Sequence, residues 1–200
     1  MNVRFKKTFD FSAGVIYDNK FSVNFYTVVV HMTTVNMDGD YHNIAYERMR
    51  YWVDEVLSDS ILIYQKDPML DQWLSTEQRI ILFPEQPVDQ VVGILLYSKF
   101  NAITEKQFII NEVEASSAIG DDIVFMHSEN EITDVLAQTG WWNDSKPTWI
   151  SSGKKRVRQN KIIKLDRMPD WKDLDLEFEQ SDTNDDNSVV FVEFGKDDKK

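Results

Sequence analysis

Two long runs of alternating residues constrain this chain more than any other feature. In the first, Val3, Phe5, Phe9, Phe11 and Ala13 occupy one parity, and Arg4, Lys6, Thr8, Asp10 and Ser12 the other. Successive side chains of a strand point to opposite faces, so this pattern predicts a strand with one apolar and one wet face. The second run, over residues 21–35, puts Phe21, Val23, Phe25, Val29 and Val35 on one parity, and His31 shares that side, which is expected to face the core. Residues 17–20, Tyr-Asp-Asn-Lys, supply a hairpin connection between the two. The pair predicts a long antiparallel hairpin.

A helix that leads into a strand is expected over residues 83–118. Val88, Val91, Val92 and Leu95 fall at i, i+3, i+4 and i+7, with Pro87 acceptable and Asp89 favourable in a first turn. The strand rests on Phe108, Ile109, Ile110 and Val113, and it ends in two acids, Glu112 and Glu114. By simple alternation both carboxylates project from the same side as Phe108 and Ile110, either as a solvated strand end or as a polar pocket floor. Gly120-Asp121 then breaks the chain before residues 123–127, Ile-Val-Phe-Met-His, which would close a second hairpin.

An earlier helix is expected after Asp38-Gly39-Asp40, capped by Asn43, with Ala45, Met49, Trp52, Val53 and Val56 on its buried face. Its wet face would carry Glu47, Arg48, Asp54 and Glu55. Between the helices, residues 61–64 and 79–82 read as short strands, with a brief helical piece around Asp71 to Leu74.

The fold class is therefore α+β: an antiparallel sheet of two β-hairpins with two helices packed on one face, in the order ββααββ. That body spans residues 1–130, and residues 131–200 form a C-terminal extension, rich in Trp and then acidic. The extension is expected to pack on the main body or on a neighbouring subunit, and its tryptophans Trp141, Trp142 and Trp149 suit packing at a subunit contact better than stacking on a base; residues 154–158 form a short basic patch. Residues 181–188 read as a loop before the apolar run 189–194, and the last five residues as a frayed end.

Composition removes several function classes. A hydrophobic fraction of 42% over 200 residues fills one ordinary core, which fits one body with an appendage. A net charge of -12 excludes the clustered cations that nucleic acid or an anionic membrane requires. The absence of cysteine removes disulfides, thiolate metal sites and a cysteine nucleophile. No run approaches the roughly 18 apolar residues of a membrane span, and a soluble cytoplasmic chain is expected. No phosphate-cradling glycine loop is present, Ser12, Ser60 and Ser116 lie in no nucleophile elbow, and the acids at 182–186 lack the glycine and terminal glutamate of a calcium loop.

Several stretches together resemble the tunnelling-fold (T-fold) family of pterin and purine enzymes, in particular the 6-pyruvoyl- and 6-carboxy-tetrahydropterin synthases. The family's first-strand motif, F-x-F-S-A-A-H, is similar to Phe9-Asp10-Phe11-Ser12-Ala13-Gly14-Val15. A segment like M-D-F-x-x-L-K corresponds to residues 41–49, one like P-T-x-E-N-L-A to 83–92, and a strand end like V-x-V-x-E-T to Ile110 through Ala115. The resemblance runs in order from residue 3 to about 127.

It implies that Glu114 is a pterin or purine anchor, with Glu112 the alternative if the register differs by two residues. A carboxylate suits that task because its two oxygens match the paired donors of a guanidine-like edge. It also implies a zinc held by three histidines, and here the chain departs from the pattern. The position closing the first motif is Val15, the H-x-H region reads Asn19-Lys20-Phe21-Ser22-Val23, and the only histidines, His31, His42 and His127, have no ligand spacing with one another. The family's aspartate-histidine relay would fall on Asp59 and Ser60, keeping only the acid.

The expectation is thus a pseudoenzyme: a non-catalytic T-fold-like assembly or scaffold protein forming a homo-oligomer, with no catalytic residue, metal or cofactor. One alternative is a metal-free purine- or pterin-binding protein anchored at Glu114. A second is a metal-independent aldolase or epimerase using a lysine or tyrosine as acid/base. Unpaired edges of two-stranded halves lead all three to predict self-association.

Overall fold

The computed structural model describes residues 3–34, 39–128, 134–147 and 169–178. Val35, Asp38, Trp149, the basic patch at 154–158 and residues 181–200 lie outside them. The first hairpin forms as expected, from β1 (Arg4–Tyr17) and β2 (Lys20–Thr34), antiparallel in register from Arg4 opposite Thr33 to Tyr17 opposite Lys20. Asp18 and Asn19 make its two-residue turn, both with positive φ (49° and 57°), the conformation whose twist matches that of the strands.

Helix α1 (Gly39–Tyr51) continues as a π-helical turn over Trp52–Leu57. It starts four residues before Asn43, which lies inside it and caps nothing. Its expected apolar face is real: Ala45, Met49, Trp52, Val53 and Val56 are all buried. β3 (Ile61–Tyr64), the short α2 (Leu70–Leu74) and β4 (Ile80–Phe83) follow, then α3 (Asp89–Thr104), β5 (Phe108–Ser117) and β6 (Phe125–Ser128).

The strands make a six-stranded sheet of order β4-β3-β1-β2-β5-β6. Its antiparallel part, β1-β2-β5-β6, comprises the two expected hairpins, joined because β2 pairs with β5. β3 and β4 extend it beyond β1 by parallel pairing, so the sheet is mixed. Arg79 helps fix this end, since its guanidinium donates to the carbonyls of Glu55, Val56 and Ser58, which the end of the π turn leaves without helical partners.

The main core lies between α1, α3 and one sheet face, and a smaller cluster of Ile16, Ile61, Ile63 and Ile80 is covered by Leu70, Trp73 and Leu74 of α2 on the other. Phe9, Phe11, Ala13 and Val15 of β1 meet Tyr26, Val28, Val30 and Met32 of β2, with Val92, Leu95, Leu96 and Phe100 of α3 above them. Full burial of each large apolar side chain contributes about 1.5–3 kcal/mol. Gly93 lets α3 approach the sheet, because a Cβ there would lie 3.1 Å from the Cβ of Ala115. The inward parity of β2 is therefore the even one. Phe21, Val23, Phe25 and His31 point to the outer face, contrary to expectation, because β1 buries its odd residues and its partners across the pair are the even residues of β2.

Two further expectations are corrected. Arg48 does not lie on a wet face: it is buried, donating to Ile103 O at 3.0 Å, Leu176 O at 2.6 Å and Glu105 at 2.6 Å. Its guanidinium also stands 4.8 Å from the Trp171 ring centre and 3.8 Å from that of Phe178. Burial lowers its pKa from the usual value, opposed by the hydrogen bond and charge of Glu105. Trp141 and Trp142 are not at a subunit contact: both are buried in the chain's own core, Trp141 stacked on Trp52 with centroids 5.1 Å apart.

The two sheet edges differ. The carbonyls of Arg79 and Phe83 accept from Ile61 and Gln65, on the side of β3, so the carbonyl of Leu82 points outward, and Trp141 Nε1 donates to it at 2.8 Å. The β4 edge is thereby partly closed. β6 ends the sheet on the other side, with no strand beyond it among the described residues.

Candidate functional site

The acids singled out by sequence come together on the outer face, and a β-bulge puts them there. His31 pairs with Glu112, but the next residue of β2, Met32, pairs with Ile110, so Asn111 is the extra residue of β5. Phe108 and Ile110 face the core on one side of the bulge, and Val113, Ala115 and Ser117 on the other. Alternation restarts at Asn111, and Glu112 and Glu114 emerge on the face opposite Phe108 and Ile110, not on the same one. Thr33 Oγ1 donates to Asn111 Oδ1 at 2.6 Å and pins the extra residue.

Across the outer face one register row reads Lys6, His31, Glu112 and Ser128, and the next but one reads Thr8, Val29, Glu114 and Met126. His31 reaches diagonally between the acids. Its Nε2 lies 2.5 Å from Glu114 Oε1 and 3.8 Å from Glu112 Oε1. An ionised carboxylate only accepts hydrogen bonds, so in this contact Nε2 carries the proton. About a third or less of each side chain is exposed, 33% for His31, 29% for Glu112 and 27% for Glu114.

One nitrogen and two carboxylate oxygens thus lie within 4.8 Å of one another, the one such set of three His, Asp or Glu side chains among the described residues. Beside it opens a cleft of about 470 Å³ lined by Arg4, Phe5, Lys6, His31, Met32, Asn111 and Glu112. Glu112 lines this cleft; Glu114 is set back and engaged by His31. The cleft offers cations from β1 and a carboxylate from β5, a mixed lining suited to a small polar molecule.

The other sequence candidates are dispersed. His42 stacks on Phe108 with centroids 5.1 Å apart, and His127 is buried edge-on to Tyr97. Val15 is buried in the core and residues 19–23 contain no histidine, so the positions where the resemblance would hold zinc lack its ligands. Asp59 accepts from Ser12 Oγ at 3.1 Å, while Ser60 is buried and donates to Leu57 O. Sequence reasoning missed the part played by His31, because a cross-strand partner leaves no spacing along the chain. The one available signal was Asn111, a polar residue interrupting an apolar strand.

No protein-family model matches the chain, and no curated protein sequence matches it. Solved structures do. An uncharacterized protein, WS1659, from Wolinella succinogenes aligns with 12% identity over 65% of this chain and 99% of its own, at a TM-score of 0.50. The 6-pyruvoyl tetrahydropterin synthase of Plasmodium vivax aligns with 10% identity over 66% of this chain and 99% of its own, at 0.43. That of Plasmodium falciparum aligns with 13% identity over 64% and 96%, at 0.38. At such identities the relationship is one of fold: a T-fold-like α+β architecture.

Proposed function

We propose that this chain is a non-catalytic assembly subunit, in which an apolar stripe on the outer sheet face and the open edge are covered by further copies of itself in a homo-oligomer. The observation that carries this reading is the stripe Phe21, Val23 and Phe25 along the outer face of β2, exposed to 47%, 57% and 64%. A solvated sheet face ordinarily alternates to polar side chains, and a contiguous apolar stripe marks a surface meant to be covered. Ile119, Ile123 and Val124, in the connection between β5 and β6 at the same end of the sheet, are also more than half exposed. The contrast between the edges adds to it: β4 is capped by Trp141, whereas β6 has no strand beyond it among the described residues, and an unpaired edge is a template for another strand.

The described parts of the extension, 134–147 and 169–178, pack on α1, its π turn, β4 and α3, while Phe21, Val23 and Phe25 stay exposed. In the proposed subunit, residues 1–130 are the assembling body and 131–200 an extension. The test is sedimentation velocity on the wild type and on Phe25→Lys. A charge at the centre of the stripe should lower the sedimenting mass while the circular dichroism of the subunit persists. Equal masses for the two proteins would refute the reading.

A second reading, binding of a small purine or pterin without catalysis, is favoured by the cleft beside Glu112. Thermal shift with guanine, neopterin and GTP separates the two. Stabilisation abolished in Glu112→Ala or Glu114→Ala supports a pocket, and no shift with any of the three supports a purely structural role.

A further inference from the structure

We propose that His31, Glu112 and Glu114 form a site for one first-row divalent transition-metal ion, held on the outer sheet face at the mouth of the cleft. Three observations lead there. The donors are chemically mixed, an imidazole nitrogen and two carboxylate oxygens, a set that favours ions such as Zn²⁺ or Mn²⁺ over Mg²⁺ and Ca²⁺, which prefer all-oxygen shells. The geometry is close to that of ligands sharing one ion. Ligands at about 2.1 Å from a metal stand roughly 3.0–3.4 Å apart, and the His31 distances of 2.5 and 3.8 Å bracket that range. All three donor atoms lie within 4.8 Å of one another.

The charge is also compensated only in part. Among the described residues, His31 is the only ion-pair partner of either carboxylate, so two acids share one imidazole. A divalent ion replaces the shared proton and neutralises both carboxylates. Their placement is built into the sheet. The three side chains stand on adjacent strands, the bulge at Asn111 turns both acids toward His31, and Thr33 holds the bulge. The cleft borders His31 and Glu112, which leaves the remaining coordination positions open to water or to an anionic ligand steered by Arg4 and Lys6. None of the three ligands falls at Val15 or in residues 19–23, so this site is separate from the one the resemblance implies.

The experiment is isothermal titration of the untagged full chain, stripped with chelator, using Zn²⁺ and Mn²⁺ salts alone. One equivalent per chain is expected for Zn²⁺ in the wild type. Because loss of even a neighbour that only supports a metal ligand weakens binding 10–100-fold, His31→Gln and Glu114→Gln should each weaken it by at least about 100-fold. His42→Gln should bind like the wild type. Cobalt(II) substitution adds a readout that a structural role would not move, visible absorption bands present in the wild type and lost in His31→Gln. Should His31→Gln not fold, the isosteric and partly exposed Glu112→Gln carries the same test. Absence of stoichiometric binding by the wild type, or equal binding by His31→Gln through the many other acids of this chain, would overturn the proposal.

Discussion

His31 on β2 and Glu114 on β5 are joined by a hydrogen bond of 2.5 Å on the face of the sheet away from α1 and α3. The contact exists because one extra residue, Asn111, reverses the alternation of β5 just before the acids. Both groups keep access to solvent, so the pair contributes little to folding. Glu114→Gln is expected to change unfolding stability by less than about 1 kcal/mol in urea denaturation. A larger loss would mean that the pair holds the sheet together.

Arg48 should behave in the opposite way. It is 2% exposed and ties α1 to the carbonyls of Ile103 and Leu176, with Trp171 and Phe178 against its guanidinium. Arg48→Ala removes the anchor of the 169–178 segment and leaves those carbonyls unsatisfied. A loss of about 3–5 kcal/mol is expected from chemical denaturation, with a red shift of tryptophan emission as Trp171 becomes solvated. Wild-type stability in this variant would show that the segment is held by other contacts.

What could be read from the residues, and what could not, follows from locality. The parity of β1, the turn at Asp18-Asn19 and the buried face of α1 are set by near neighbours, and all were legible. β2 was not, because both its parities are apolar: Phe21, Val23 and Phe25 compete with Tyr26, Val28, Val30 and Met32, and only pairing with β1 decides which goes inside. The bulge at Asn111 is a relation between two strands, so simple alternation puts Glu112 and Glu114 on the side of Phe108 and Ile110, and parity alone puts His31 toward the core. Arg48 reads as a surface cation until a partner about 130 residues away arrives. The parallel additions β3 and β4 and the inward packing of Trp141 and Trp142 depend on the same kind of distant contact.

Lys99 gives stability a pH dependence. It is fully buried, its ammonium donates to Asp144 O at 2.6 Å and Lys146 O at 2.8 Å, and burial pulls its pKa from 10.5 to about 7. Between those values the unfolded chain binds more protons at this position than the folded one, so stability rises with pH from about 7 toward 10. Urea midpoints across pH 7–9.5, compared between wild type and Lys99→Met, should show this slope in the wild type and its reduction in the variant. Parallel profiles would show that Lys99 keeps its proton throughout.

Gly14 tests how the apolar stripe is seated. A Cβ at this position would lie 2.5 Å from Cε2 of Phe21, whose ring crosses the strand there and leans on Trp73. Gly14→Ala should displace the ring at a cost of about 1–3 kcal/mol, less if the ring swings away freely. Thermal denaturation measures the change, and an unchanged midpoint would show that the ring is loosely held.

The central claim is that the apolar stripe of the outer sheet face is covered by other copies of this chain. Native mass spectrometry of the untagged 200-residue chain at micromolar concentration addresses it most directly. The account predicts a dominant species at an integral multiple, two or more, of the 23.5 kDa chain mass. A single species at 23.5 kDa would contradict it.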